Sequence, residues 1–443
     1  MKQFKMFSVL ALAAFAFACS NDDDLTVPPL PPTPVDTVLF GTLTANKTLT
    51  SDKTWILKGY VYVPNGVTLT IQPGTRIISD VTEKGALCIE RGGKIDANGT
   101  AAQPIVFTSG KPSGQRAPGD WGGIVILGRA RTNRSSTPVI EGGIDRPYGG
   151  TEDDNNSGVM RYVRIEYAGI AAFKDSEINA LTLGGVGSGT TIEYVETAYA
   201  NDDAYEFFGG KVNCKYLIAA YTADDDFDFD FGYTGKIQYA VSLRNPAFVD
   251  GGDAGNGIEC DNDGASTTAT PFTRPVLSNF TFVGPNNASG TAANHNYANR
   301  FRRSTRFVLR NSILMGYQKG GFSIEQDSTA SYYSQDLSVF NDNLVHAIAS
   351  PYRSGSSLLT GAEMQTKAEG NGCITYAAAN DISLEDPFNL TSPNFLPKAG
   401  SPALAGAKYD GDLDAFFTTG AYRGAFGTTN WLSGWTRFFN NGQ

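Results

Sequence analysis

Histidine is nearly absent from this 443-residue chain: only His295 and His346 occur. Neither stands at metal-ligand spacing from another ligand, and no Ser-His-Asp order includes them. Imidazole-bound zinc and triad hydrolysis therefore have no footing in the sequence. Cysteine is scarce too, and Cys88, Cys214, Cys260 and Cys373 form no CxxC pair. Their spacing suits neither a zinc site nor a small stapled scaffold, so free thiols in an apolar interior are expected. Basic residues number 35 against 45 acidic ones, a formal net charge of −10. Phosphate binding needs a basic face, so nucleic acid is not an expected partner. Helical periodicity is missing over most of the chain, which removes bundles and alternating α/β folds.

One sustained apolar run is present, Phe7 to Ala18, behind a basic start at Lys2 and Lys5. It is too short to cross a bilayer and reads as a secretory signal over residues 1–18. Phe17-Ala18-Cys19-Ser20 resembles the lipobox of bacterial lipoproteins. That resemblance implies that Cys19 is lipidated and becomes the mature N-terminus. Ser20-Asn21-Asp22-Asp23-Asp24 resembles the acidic tag of exported surface lipoproteins of the Bacteroidota, implying an outer-membrane, cell-surface location. Pro28, Pro29, Pro31, Pro32 and Pro34 then favour extended polyproline II, so residues 19–38 read as a tether.

The body, residues 39–443, is long enough for a large core. It consists of short runs rich in Val, Ile, Leu, Phe and Tyr, separated by Gly, Asn and Asp. A repeat organises them. Asn201-Asp202-Asp203-Ala204-Tyr205-Glu206-Phe207-Phe208-Gly209 recurs as Asp224-Asp225-Asp226-Phe227-Asp228-Phe229-Asp230-Phe231-Gly232. Ile192-Glu193-Tyr194-Val195, Cys214-Lys215-Tyr216-Leu217 and Ile237-Gln238-Tyr239-Ala240 follow at similar steps. A period in the low twenties without a helix per repeat predicts a β-solenoid, best fitted by an all-β parallel β-helix. Wider spacing after Leu277 predicts loops inserted on one side.

Gly66-Val67-Thr68-Leu69-Thr70-Ile71-Gln72-Pro73-Gly74-Thr75 is similar to the entry coil of right-handed parallel β-helix proteins. Gly119-Asp120-Trp121-Gly122-Gly123-Ile124, Arg161 to Gly169 and the two acidic repeats resemble a family of Bacteroidota surface lipoproteins with that fold. Gly400-Ser401-Pro402-Ala403-Leu404 resembles the closing motif of many β-helices, and Trp431 and Trp435 are expected to cap the open end. The resemblance alone implies a TonB-dependent transporter as partner.

The acidic repeats are the candidate site. Alternation sends Phe227, Phe229 and Phe231 inward and Asp226, Asp228 and Asp230 outward. Stacked coils lie ~4.8 Å apart, so Asp202, Asp203 and Glu206 are expected over Asp224, Asp225 and Asp228. Glu259, Asp261 and Asp263 extend the row. Carboxylates packed this closely repel unless a cation lies between them, and calcium takes several oxygens at once. A calcium site at Asp202, Asp203, Glu206, Asp225, Asp226 and Asp228 stands beside two alternatives: a solvated acidic face and a catalytic pair. The cluster Arg300, Arg302, Arg303, Arg306 and Arg310 either reaches this row or pairs with other surface acids. Gly184 to Gly189 has no following lysine or helix and reads as a turn, not a phosphate loop.

No complete catalytic set emerges. The leading reading is a non-catalytic surface lipoprotein that binds a nutrient or glycan beside a transporter. A calcium-dependent polysaccharide lyase, or a glycoside hydrolase using Glu206 and Asp228, is the first alternative. A structural subunit of a surface complex, or an adhesin, is the second.

Overall fold

Each coil buries the same kind of residue at the same place, and that regularity builds the molecule. The computed structural model describes residues 35–173, 176–252 and 254–439. The expected signal segment, Cys19 and most of the expected tether lie outside the described residues. Val38, assigned above to the end of the tether, already pairs with Ile56 in the first strand. From there 26 strands join in one continuous ladder whose pairings are parallel, a right-handed parallel β-helix.

Three faces wrap a single apolar interior. The first contains Ala86–Ile89, Gly123–Leu127, Leu181–Gly184, Tyr205–Phe208, Phe227–Asp230, Ile258–Cys260, Tyr297–Phe301 and Gly320–Glu325. The other two are the halves of long bent strands: Gly158–Glu166, Thr191–Ala198, Asn213–Ala220, Lys236–Leu243 and Val276–Val283. Ile192 pairs with Cys214 and Cys214 with Ile237, steps of 22 and 23 residues. The step from Ile237 to Leu277 is 40 residues, because loops are inserted there.

Each bend rests on one residue in the left-handed region: Tyr162, Tyr194, Tyr216, Tyr239 and Asn279, with φ of 49°, 53°, 60°, 64° and 60°. A left-handed non-glycine residue costs on the order of 1 kcal/mol. The bend lets residues on both sides face inward, as Ile192 with Val195 and Cys214 with Leu217 do. The tyrosine rings stack outside with centroids 4.4, 4.3 and 5.0 Å apart. Such pairs contribute about 0.5–1.5 kcal/mol each, enough to offset the backbone cost.

Inside, Tyr205 stacks on Phe227 at 5.1 Å and Phe207 on Phe229 at 4.9 Å. Phe231 departs from the expected inward position. Its strand ends at Asp230, and Phe231 takes φ 50° and swings out to stack on Phe208. The four cysteines Cys88, Cys214, Cys260 and Cys373 are buried and free.

The C-terminal tryptophans also differ from expectation. They cover a side of the solenoid, not its end. From about residue 405 the chain runs back along the tyrosine stack. Trp435 meets Tyr162 edge-on at 5.5 Å and Trp431 meets Tyr216 at 5.2 Å. Arg437 then reaches the buried Glu166 and Glu196. The edges of the four tyrosine-bearing corners give the indoles a lateral apolar surface to bury.

Phe229→Asp should lower stability by ~3 kcal/mol or more, because an unpaired carboxylate would replace a ring stacked at full burial. Denaturant unfolding followed by circular dichroism measures the loss. An unchanged midpoint would mean that this stack does not hold the coils together.

Candidate functional site

Parallel register brings like charges together on the first face. Glu206 pairs with Asp228, Asp228 with Glu259, and Glu259 with Arg300. At the corner before these strands, Asp203 Oδ1 accepts from the Asp225 backbone N–H at 2.8 Å. Asp225 Oδ1 accepts from the Asn256 N–H at 2.6 Å. These aspartates therefore stitch one coil to the next while their remaining oxygens face the row.

Three overlapping groups result, each with oxygens within 4.8 Å of one another: Asp202, Asp203 and Asp224; Asp203, Glu206 and Asp228; Asp225, Asp228 and Glu259. Asp226 is the exception to the expected set. It sits at the corner ahead of Phe227, where alternation fails, and turns into the interior to pair with Arg244 at 3.0 Å, both fully buried.

The row is more buried than an outward face should be. The long insertion between Gly123–Leu127 and Gly158–Glu166 lies over the first face, with Ile140, Ile144 and Tyr148 packed against Phe208 and Val125. Asn179 donates to Glu206 Oε2 at 3.3 Å, while Glu206 Oε1 and Asp228 Oδ1 are buried without a hydrogen-bond partner. Burial pushes the Asp203, Glu206 and Asp228 carboxyls well above the usual range, and their acidic neighbours push them further. Burial also raises Asp225 to about 6 and Asp261 to about 7.

Arginines neutralise only one end. Arg300 bridges Glu259 at 3.0 Å and Glu325 at 2.9 Å. Arg302 bonds Asp261 at 2.9 Å and also Glu259, and Arg303 reaches Asp261 at 2.7 Å. The other two of the run lie elsewhere. Arg306 stacks on Phe272 and Tyr332, and Arg310 bonds Asp342 and Asp410. Asp263 holds its own turn through Ala265 and Thr267.

His295 lies 3.1 Å from the Asn245 carbonyl, and burial lowers it to about 4. His346 Nδ1 accepts from the Gly316 N–H. Both are structural. Sequence reasoning missed Asn179, Asn256 and the covering insertion. The insertion's length and its Ile140 and Ile144 were the available signal, since a solvated loop has no use for them.

An all-oxygen donor set with orphaned buried oxygens and no imidazole or thiolate suits a hard cation such as calcium. Residues 41–383 match the family described as the pectate-lyase like beta helix domain. Among solved structures the chain is similar to the crystal structure of pectate lyase Pel9A, at 14% identity and a TM-score of 0.43. That likeness covers 82% of this chain and 88% of the other. No curated protein matches the sequence.

Raised carboxyl pKa values set the sign of a pH effect. The native state holds protons that the unfolded chain has released, so stability falls as pH rises. In chelator, melting temperature should decline from about pH 4, the unfolded carboxyl value, through the folded values of about 6 at Asp225 and about 7 at Asp261. Glu206→Gln should flatten that decline. A melting temperature that rises over this window would refute the assignment.

Proposed function

This chain belongs to the pectate-lyase like beta helix domain family, and we propose that it is a surface-anchored glycan-binding protein whose acidic row takes calcium. The carrying observation is the uneven neutralisation of the row. Glu259 and Asp261 are matched by Arg300, Arg302 and Arg303, whereas Asp203, Glu206 and Asp228 share one cluster containing a buried orphaned oxygen. The cation therefore belongs at Asp203, Glu206 and Asp228, with Asp202, Asp224 and Asp225 beside them. A calcium ion there binds carboxylate-bearing sugars through its open positions. Cys19 supplies the lipid anchor, the proline-rich stretch between it and the first strand the tether, and a TonB-dependent transporter in the outer membrane the partner.

Calcium lyase chemistry is the second reading, favoured by one observation. Burial and the adjacent Arg303 lower the Arg302 guanidinium from its ordinary value beside the row. Hydrolysis by Glu206 and Asp228 fits less well. They stand side by side on adjacent strands, whereas glycosidase carboxyls flank the scissile bond.

Calcium at 100 times its Kd should stabilise the protein by ~2.7 kcal/mol, and Asp228→Asn should remove most of this. The shift should persist in moderate sodium chloride, which abolishes simple screening. A flat melting response, with no metal in the purified protein, would refute the calcium site. Absorbance of an unsaturated product from polygalacturonate, lost in Arg302→Lys, would replace the binding reading with the lyase. In cells, Cys19→Ala should move the protein to the soluble fraction, and retention in the membrane would refute the anchor.

A further inference from the structure

A recess lies beyond the C-terminal ends of the first-face strands, between the coils that follow them and the inserted segment. It has a volume of about 500 Å³. Three consecutive coils form its floor: Ser188 from one, Lys211 and Asn213 from the next, Thr234 and Lys236 from the third. Two coil steps make it ~10 Å long. Its wall is the segment carrying Arg131 and Asp153.

Asp153 is the fixed point. Its carbonyl accepts from the Ser188 N–H at 2.8 Å, and its Oδ1 accepts from the Arg131 N–H at 3.2 Å. Its Oδ2 holds both the Arg131 guanidinium, at 2.8 Å, and the Lys211 ammonium, at 3.4 Å. Two cations thus converge on one carboxylate oxygen, and they stay 59% and 48% exposed. Guanidinium and ammonium offer eight N–H donors between them, so most remain available. Asn213 Oδ1 accepts from the Lys236 N–H at 3.0 Å, which leaves the Asn213 amide nitrogen as a donor. The lining is hydroxyl, amide, cation and carboxylate, with no aromatic ring, which disfavours a lipid or a flat aromatic ligand.

We propose that this groove binds the acid group of an anionic saccharide, a uronate or a sulfated sugar, independently of calcium. Arg131 and Lys211 take the anion, while Asn213, Thr234 and Asp154 meet the neighbouring hydroxyls. The site does not rest on the acidic row being occupied. In a chain of net charge −10 such a groove favours short acidic oligosaccharides over long polyanions.

The test is titration calorimetry of the full mature chain in excess chelator, with trigalacturonate, a sulfated disaccharide and neutral maltotriose as probes. Either anionic probe should bind, and the tighter one identifies the acid group. Arg131→Gln with Lys211→Ser should weaken it about tenfold, and high salt should weaken it too. Lys211→Arg, which keeps the charge, should retain binding, and so should Asp228→Asn, which disables only the row. Equal affinity for maltotriose, equal affinity of the double variant, or no anionic binding up to ~10 mM would overturn the proposal.

Discussion

Coils stacked ~4.8 Å apart in register give every side chain a near neighbour at the same position of the next coil. That constraint acts in opposite directions on the two sides of one strand. Inside, Tyr205 over Phe227 and Phe207 over Phe229 gain ring contact and apolar burial at each step. Outside, the same translation sets Glu206 beside Asp228 and Asp228 beside Glu259, and repulsion grows with each acid added. The favourable interior holds the unfavourable exterior in place. An acidic row of this density survives because the aromatic stack beneath it fixes the spacing.

Neutralisation of that row is built partly into the chain and partly left to something else. The coil after Glu259 brings Arg300 into register, and the turn beyond it adds Arg302 and Arg303. No basic residue enters the register at Leu181–Gly184, where Thr182 pairs with Glu206. One end of the row is therefore a set of closed ion pairs. At the other end burial and like-charged neighbours raise Asp203 and Glu206, which favours protons on their carboxyls. Calcium bound as proposed would compete with those protons for the same oxygens.

Much of this was legible because a solenoid writes its geometry as a period. The tyrosine of Ile192-Glu193-Tyr194-Val195 recurs at Tyr216 and Tyr239, and the structure puts all three at the same bend. The acidic repeats read correctly for Glu206 and Asp228, which lie within strands where alternation holds. It failed at both strand ends. Asp226 stands before the first paired residue and Phe231 after the last, and corners obey local backbone geometry instead. The arginine run could not be divided from sequence alone. Whether Arg302 meets an acid on the row, or Arg310 one in the tail, depends on partners 41 and 100 residues away. The tryptophans misled for a related reason: a capping role is a statement about ends, and the indoles pack on the lateral tyrosine stack.

The returning C-terminal segment shows how a non-repeating chain binds a repeating one. Asp410, Asp412 and Asp414, every second residue, meet Arg310, Arg274 and Lys236 from three successive coils. Asp410 to Leu413 form a turn, with the Leu413 N–H donating to the Asp410 carbonyl at 3.2 Å, and the long basic side chains reach out to these carboxylates. Farther along, Trp431 and Trp435 cover the tyrosine edges. The Arg437 N–H then donates to Glu196 at 2.8 Å, a carboxyl that burial raises to about 7. Together these contacts fit only coils stacked in register. Once docked the segment resists any slip between coils, because one coil moving alone would break its own rung of the comb. The register that sets the acidic row is thus fixed twice, by the rings inside and by the segment outside.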